Sequence, residues 1–236
     1  KRDRVTNATG DARDAFSSPA FIELGQSIGL LVSGADWINA YDLDSGEELW
    51  RAGGLRIRGR YRHSSASPAA YKDFVIATSG NPSGGEGRVM AFRASGRGDI
   101  TGTQVWTVSR STPDSTSPVA YRDHVFMVSD KGIASCVDLA TGQVAWRYRL
   151  GGGKYYSSPV AGDGKVYFLS NEGRCTVFAA QAKGKTLAIN ELPGWFFATP
   201  AIGEGRIYLR SNDRLYAMGS ESTTESPAKK LPKSKT

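Results

Sequence analysis

Residues 116–150 read TSPVAYRDHVFMVSDKGIASCVDLATGQVAWRYRL, and residues 157–192 read SSPVAGDGKVYFLSNEGRCTVFAAQAKGKTLAINEL. Each opens on a hydroxylic residue and a proline. A short apolar run, a turn and a second apolar run follow. The first stretch then closes on Asp-x-x-Thr-Gly and a tryptophan. The proline recurs as Pro19, Pro68, Pro118, Pro159 and Pro200, at spacings of 49, 50, 41 and 41 residues. Self-similarity at such a period is the signature of a repeat architecture.

Within a unit, the apolar blocks are too short for helices and are rich in β-branched and aromatic residues. Phe74-Val75-Ile76, Val125-Phe126-Met127-Val128, Val166-Tyr167-Phe168-Leu169 and Ile207-Tyr208-Leu209 are each bounded by Gly, Asp, Asn or Ser. A unit reads as four strands. The first follows the proline, the second is the apolar run, the third ends near Asp42 or Asp138, and the fourth carries Trp50, Trp106 or Trp146. Four antiparallel strands at roughly 40–45 residues describe one blade of a β-propeller, which must stack on neighbours to bury its faces. The residues flanking the proline are small: Ser18, Ser67, Ser117, Ser158 or Thr199 before it, Ala or Val after it. They suit an innermost strand, where blades converge, and the proline falls at a strand start, where no ladder bond is lost.

The last two strands are joined by tight turns that contain Gly46 and Gly142, and the interval from Asp to Trp is the same in Asp42–Trp50 and Asp138–Trp146. These residues, with Gly102 and Trp106, resemble the tryptophan-docking motif of the pyrroloquinoline-quinone (PQQ) type propellers. That superfamily holds quinoprotein alcohol dehydrogenases and BamB-type outer-membrane assembly factors. The likeness runs over residues 17–219. It implies that the tryptophans pack blade on blade, since aromatic burial dominates core energetics.

The fold expected is all-β: a propeller of four-stranded antiparallel blades with about five present. Residues 1–16 read as the remnant outer strand and loop of a preceding blade, 17–219 as blades, and 220–236 as a disordered basic tail rich in Lys and Pro. Unit five has no fourth strand. The arrangement reads as the C-terminal part of a seven- or eight-bladed propeller, or alternatively as a ring closed by Val5–Asn7. Unit two carries two Gly- and Ser-rich insertions, 79–88 and 93–103, expected as mobile hairpins. Unit four has Ala188 where unit three has Trp146.

The chain has a net charge of +7, part of it in the tail, where four lysines outnumber two glutamates. Weak attraction to anionic surfaces follows. Nucleic-acid binding would need basic residues interleaved with stacking aromatics on one face. Only Arg56, Arg58, Arg60, Tyr61, Arg62 and His63 approach that, and no nucleic-acid partner is expected. No apolar run is long enough to span a bilayer. No signal peptide is visible, and the opening residues read as a truncation. The two cysteines, Cys136 and Cys175, sit at unequal offsets in neighbouring units, so a disulfide is not inferred. Without a histidine cluster they make no zinc site.

The superfamily's enzymes hold PQQ over calcium with carboxylate and amide ligands, and often carry a disulfide between adjacent cysteines. This sequence has no adjacent cysteines and no compact acidic calcium loop. No catalytic, cofactor-binding or metal residue is assigned, and no cofactor is expected. PQQ with calcium belongs to the alternative reading, a quinoprotein dehydrogenase or its degenerate relative. The resemblance implies a non-enzymatic scaffold for protein partners, among them membrane-assembly components. It also implies a periplasmic, secreted or externally membrane-anchored location. The surface expected to bind is the set of loops before each Ser-Pro or Thr-Pro: Phe16, Arg62, His63, Asp114, Tyr155, Tyr156, Trp195, Phe196 and Phe197. Aromatic and Arg anchors dominate interface energetics.

Overall fold

A computed structural model describes residues 8–9, 13–25, 27–34, 36–57, 65–80 and 87–219. Every regular element among them is a strand, and none is an α-helix. Blade one comprises β1 (Ala20–Leu24), β2 (Ser27–Gly34), β3 (Trp37–Asp42) and β4 (Glu48–Ala52). Blade two comprises β5 (Ala69–Tyr71), β6 (Phe74–Ser79), β7 (Arg88–Arg93) and β9 (Trp106–Val108), with β8 (Gly98–Asp99) between the last two. Blade three holds β10 (Val119–Tyr121), β11 (His124–Val128), β12 (Ile133–Asp138) and β13 (Val144–Arg149). Blade four holds β14 (Val160–Gly162), β15 (Lys165–Leu169), β16 (Arg174–Ala179) and β17 (Thr186–Glu191). Among the described residues blade five shows β18 (Ala201–Gly203), β19 (Arg206–Arg210) and β20 (Leu215–Gly219). Within each blade the successive strands pair as antiparallel neighbours, so this is an all-β arc of propeller blades.

The first two strands of every blade are joined by a two-residue turn, as the pairs Tyr71↔Phe74, Tyr121↔His124, Gly162↔Lys165 and Gly203↔Arg206 show. Lys72, Arg122, Asp163 and Glu204 open these turns at φ values of 54°, 50°, 48° and 50°. That left-handed start matches the right-handed twist of the flanking strands.

The core lies between blades. One apolar cluster fills each of the four joints, centred on Trp50, Trp106, Trp146 and, between blades four and five, Phe196. Middle strands such as β6 are therefore buried on both faces and read as unbroken apolar runs.

The indole in each of the first three joints is fixed the same way. Trp50 is fully buried and Trp106 and Trp146 nearly so. Their Nε1 groups donate to carbonyl oxygens of the next blade, at Ala94 (2.8 Å), Leu139 (2.8 Å) and Gln181 (3.1 Å). Each ring lies against a glycine of that blade. A Cβ on Gly142 would stand 2.5 Å from Trp106, and one on Gly184 3.0 Å from Trp146. Under Trp50 the glycine is Gly96. Gly102, expected as a docking position, is not one: a Cβ there would meet nothing within 4 Å.

The reason is the insertion at 93–103, which is not a free hairpin. Its β8 joins blade one as a fifth strand, parallel to β4, with Trp50 opposite Gly98. The Ile100 amide donates to the Arg51 carbonyl (2.9 Å), the Gly53 amide to Thr101 Oγ1 (2.9 Å), and Arg51 pairs with Asp99 (3.5 Å). The insertion thus moves the docking turn away from the Gly-x-x-x-Trp spacing of the other units. The second insertion lies mostly in 81–86, outside the described residues, as do Val5–Asn7 and 220–236.

The hydroxyl before each proline is a staple as well as a small side chain. The amide of Ser18 donates to Ser67 Oγ (2.9 Å), Ser67 to Ser117 Oγ (2.8 Å), Ser117 to Ser158 Oγ (2.9 Å), and Ser158 to Thr199 Oγ1 (3.1 Å). A hydroxylic residue at one position, Ser in four units and Thr in the fifth, so links the five innermost strands described.

Candidate functional site

The loops that enter the innermost strands carry the expected binding residues, and the structure divides them by a rule of two. Four residues before the proline, Tyr155 and Phe196 point inward and are fully buried. Three residues before it, Phe16 and Phe197 are exposed (66% and 58%) and Tyr156 is half-buried. Successive side chains of an extended segment face opposite ways.

The inward residues hold the loops down. The Tyr155 amide donates to the Asp130 carbonyl (3.1 Å) and its hydroxyl to the Gly151 carbonyl (2.9 Å). Burial pushes its phenol well above the ordinary range. The Phe196 amide donates to the Asn171 carbonyl (2.9 Å), and its ring lies 6.0 Å from that of Tyr216. Tyr155 and Phe196, expected among the contact residues, are instead fully buried packing residues. Asp114 is half-buried, and its amide donates to Asp130 Oδ1 (3.2 Å). Ser115 adds its amide (3.1 Å) and hydroxyl (2.8 Å) to the same carboxylate. The loop entering blade three is therefore polar and tied back. Arg62 and His63 lie outside the described residues.

Of the expected residues, those left exposed are aromatic, and Trp195 and Phe197 lie together on the loop entering blade five. Tyr156 stacks on Phe197 with ring centres 5.8 Å apart and planes at 26°. Trp195, two residues before Phe197, is 52% exposed. Its backbone is clamped at both ends by Asn212, whose Oδ1 accepts from the Trp195 amide (3.1 Å) and whose amide donates to the Trp195 carbonyl (2.9 Å). The indole is left outside a rigid loop. Phe16 belongs to the loop of blade one, at the other end of the arc.

Asp42 and Asp138 shape the docking turns. Asp42 Oδ1 accepts from the amide and hydroxyl of Ser45, and Asp138 Oδ1 from those of Thr141, at 2.7–2.8 Å. These hydrogen bonds hold both carboxyls below the usual range, led by the Ser45 amide at Asp42 and the Thr141 hydroxyl at Asp138. In each, Oδ1 is committed to the turn.

PQQ with calcium needs several carboxylates and amides aimed into one cavity. Among the described residues, the one buried acidic side chain is Asp36, which pairs with Arg56 (3.7 Å), and no three His, Cys, Asp or Glu gather. Cys136 and Cys175 are separate buried thiols. The described residues do not fit that group.

Comparison with known proteins agrees with this architecture. Residues 85–187 match the family described as outer membrane protein assembly factor BamB. The crystal structure of BamB from Moraxella catarrhalis superposes over 89% of this chain and 61% of its own, at 20% identity and a TM-score of 0.66. The chain thus spans about three fifths of that protein's length. A computationally designed protein, Ika8, superposes over 84% of this chain and 57% of its own (11% identity, TM-score 0.60). A quinohemoprotein alcohol dehydrogenase from Pseudomonas putida superposes over 70% and 33% (14% identity, TM-score 0.54). At these identities the likeness is one of fold. No curated protein matches the sequence. Residues 85–187 are thus similar in sequence to the BamB family, and the chain shares the propeller-blade fold of the superposed structures.

Proposed function

We propose that this chain is part of a non-enzymatic scaffold that binds protein partners through its inner-strand loops, in the manner of an outer-membrane assembly factor. The observation that carries the reading is the aromatic set on the loops of blades four and five, exposed Trp195 and Phe197 with half-buried Tyr156 stacked on Phe197. Large rings already held in place by their own loops lose little freedom on binding, and such residues anchor interfaces. The polar, tied-back loop of blade three gives the surface a direction: partners sit over blades four and five. The resemblance to BamB-type factors supports membrane-assembly components as partners and a periplasmic, secreted or externally anchored location.

The test compares the wild-type chain with a Trp195→Ala, Phe197→Ala variant on detergent-solubilised outer membranes. Both side chains are exposed, so the unfolding midpoint should move by less than about 1 kcal/mol in stability. The wild type is expected to retain an outer-membrane assembly component, identified by mass spectrometry, and the variant to lose at least nine tenths of it. Equal capture by both proteins removes the aromatic group from the interface. Stoichiometric binding of PQQ and calcium with alcohol-dependent dye reduction overturns the scaffold reading in favour of a quinoprotein dehydrogenase.

A further inference from the structure

The rim of blades three and four carries charge and apolar surface that neither the loops nor the joints use. β13 and β17 are the outermost strands of these four-stranded blades, so both stand on the circumference of the arc. Side chains alternate along β13: Arg147 and Arg149 turn to one side and Tyr148 to the other, toward blade four. The Tyr148 hydroxyl donates to the Gly184 carbonyl (3.1 Å), and its ring lies 5.4 Å from that of Phe178, yet the residue stays 43% exposed. Gly184 sits between Lys183 and Lys185, both exposed. The phenol therefore has two arginines on its own strand and two lysines in the turn that it touches.

Among the described residues, no ion pair includes any of these four cations. The arginines reach only backbone carbonyls, Arg147 that of Arg110 (3.4 Å) and Arg149 that of Lys131 (3.5 Å), and so gather two further basic residues beside them. Glu191, the carboxylate at the end of β17, is taken up by Arg174 (2.8 Å). The apolar part lies on β17, which is exposed along its length. Leu187 and Ile189 are 44% and 50% exposed. Ile189 pairs with Thr176, two residues from Phe178, and so lies on the side of blade four that looks toward Tyr148.

We propose that this rim rests on an anionic lipid surface. Arg147, Arg149, Lys183 and Lys185 meet headgroup phosphates, the amphipathic Tyr148 ring sits at headgroup level, and Leu187 and Ile189 reach the acyl boundary. Two features favour a lipid surface over an acidic polypeptide. Cations and apolar side chains are mixed in one patch, the composition of interfacial binding rather than of a purely electrostatic site. The patch also spreads over the outward sides of two blades, a form to which a fluid surface conforms. The weak attraction to anionic surfaces that the net charge implies thus acquires a place on the molecule. The rim and the loop aromatics share no residue, so either proposal can fail alone.

The probe is vesicles of phosphatidylcholine and phosphatidylglycerol at about three to one, sedimented with the full chain beside vesicles of phosphatidylcholine alone. The chain is expected to partition roughly tenfold or more in favour of the anionic vesicles, and less as salt is added. Arg147→Gln with Arg149→Gln should lower that partitioning by roughly tenfold or more. Arg206→Gln with Arg210→Gln removes the same charge from exposed positions of blade five and should change it by less than about twofold. Leu187→Ser with Ile189→Ser should lower it by roughly threefold or more. The proposal is overturned by equal partitioning onto both kinds of vesicle, by equal losses in the rim and blade-five variants, or by a Leu187→Ser, Ile189→Ser variant that partitions like the wild type. Binding of a polyglutamate peptide without binding of anionic vesicles also overturns it, and assigns the rim to an acidic polypeptide. Should the arginine variant fail to fold, Lys183→Gln with Lys185→Gln in the exposed turn decides in the same way.

Discussion

The joint between blades three and four and the joint between four and five are built from the same repeat but closed by different means. At the first, Trp146 crosses to blade four, stacks on Phe178 at 4.9 Å, hydrogen-bonds Gln181 and rests on Gly184. At the second, the corresponding residue is Ala188, β17 is exposed along its length, and the apolar filling comes from Phe196 in the entering loop. An indole on the outermost strand ties blades together at their rim. A ring from the entering loop ties them near the axis and leaves the rim open. Both joints carry a buried ring from the entering loop, Tyr155 at the first and Phe196 at the second, so the difference teaches that the docking tryptophan is an added closure at the rim, and that its loss leaves a mark on the strand beneath it.

The largest expected effect tests the first device. Trp146→Ala should cost about 3–5 kcal/mol, the usual range for deleting a buried indole, and lower the midpoint of urea unfolding accordingly. Phe196→Ala is also a full ring deletion, but blade five beyond it is largely exposed and can relax into the gap, so about 2–3 kcal/mol is expected. A cost for Phe196→Ala equal to or above that of Trp146→Ala would erase the distinction between the two joints.

Next in size is a pair of glycines. Gly184 has no left-handed backbone to protect, but a Cβ there would meet Tyr148 at 2.6 Å and Trp146 at 3.0 Å. Tyr148 is half out in solvent and can give way, so Gly184→Ala should cost about 1–2 kcal/mol. Gly203, at the end of β18 in blade five, has nothing within 4 Å of its Cβ position. Gly203→Ala should be neutral or stabilising by up to about 1 kcal/mol, since alanine restricts the unfolded chain. Thermal unfolding of the two variants side by side checks the contrast.

The blades were legible in the sequence because the signals are local and recur: a proline at a strand start, short apolar runs, a glycine turn and a tryptophan. Strands ending at Asp42 and Asp138 are where the spacing puts them. What was not legible depends on partners distant in the chain. Nothing in Gly98–Asp99 marks a strand; its partner is β4, and only the folded arc brings them together. The same event transfers the docking role from Gly102 to Gly96. The serines before the prolines read as small residues because their hydrogen-bond acceptors are the same positions one blade away. At the loops, two adjacent aromatics, Tyr155 and Tyr156, look alike in composition and differ only in which way an extended chain turns them. Alternation was the available signal, and it separates the buried ring from the exposed one.

The third test concerns register partners: Trp50, Trp106 and Trp146 stand opposite the small residues Ala40, Ala91 and Cys136, whereas Ala188 stands opposite the larger Val177. Ala188→Trp alone sets an indole opposite Val177 and should destabilise; Val177→Ala alone leaves a cavity. Combined, the two changes rebuild the pair found at Cys136 and Trp146. The double variant should therefore be more stable than the sum of the singles by about 0.5–2 kcal/mol, measured as a double-mutant cycle. Additive costs would show that register partners do not set each other's size.

The smallest effect separates the joints by their thiols. Cys136 lies under Trp146 with its sulfur 3.9 Å from the Gln181 carbonyl, the oxygen that also accepts the indole. Cys175 lies in the joint without an indole. Burial disfavours the thiolate in both, and raises Cys136 from an ordinary 9.0 to about 12 and Cys175 to about 11. The sign follows from proton counting. Below about pH 9 both folded and unfolded chains keep these protons, and the contribution to stability is whole. Above it the unfolded chain releases them while the folded chain holds them, so stability falls as pH rises toward 11 and 12. In the native chain the thiolate is the reactive form and is scarce, so iodoacetamide should label neither cysteine readily at pH 8. As the pH is raised, Cys175 should be labelled first, because its pKa is the lower and its joint lacks the indole. Trp146→Ala should then speed labelling of Cys136 and leave Cys175 within about twofold, since only the cover over Cys136 has been opened. Peptide mapping by mass spectrometry reads both rates at once. If Cys136 were labelled first in the wild-type chain, the indole would not be the tighter of the two closures.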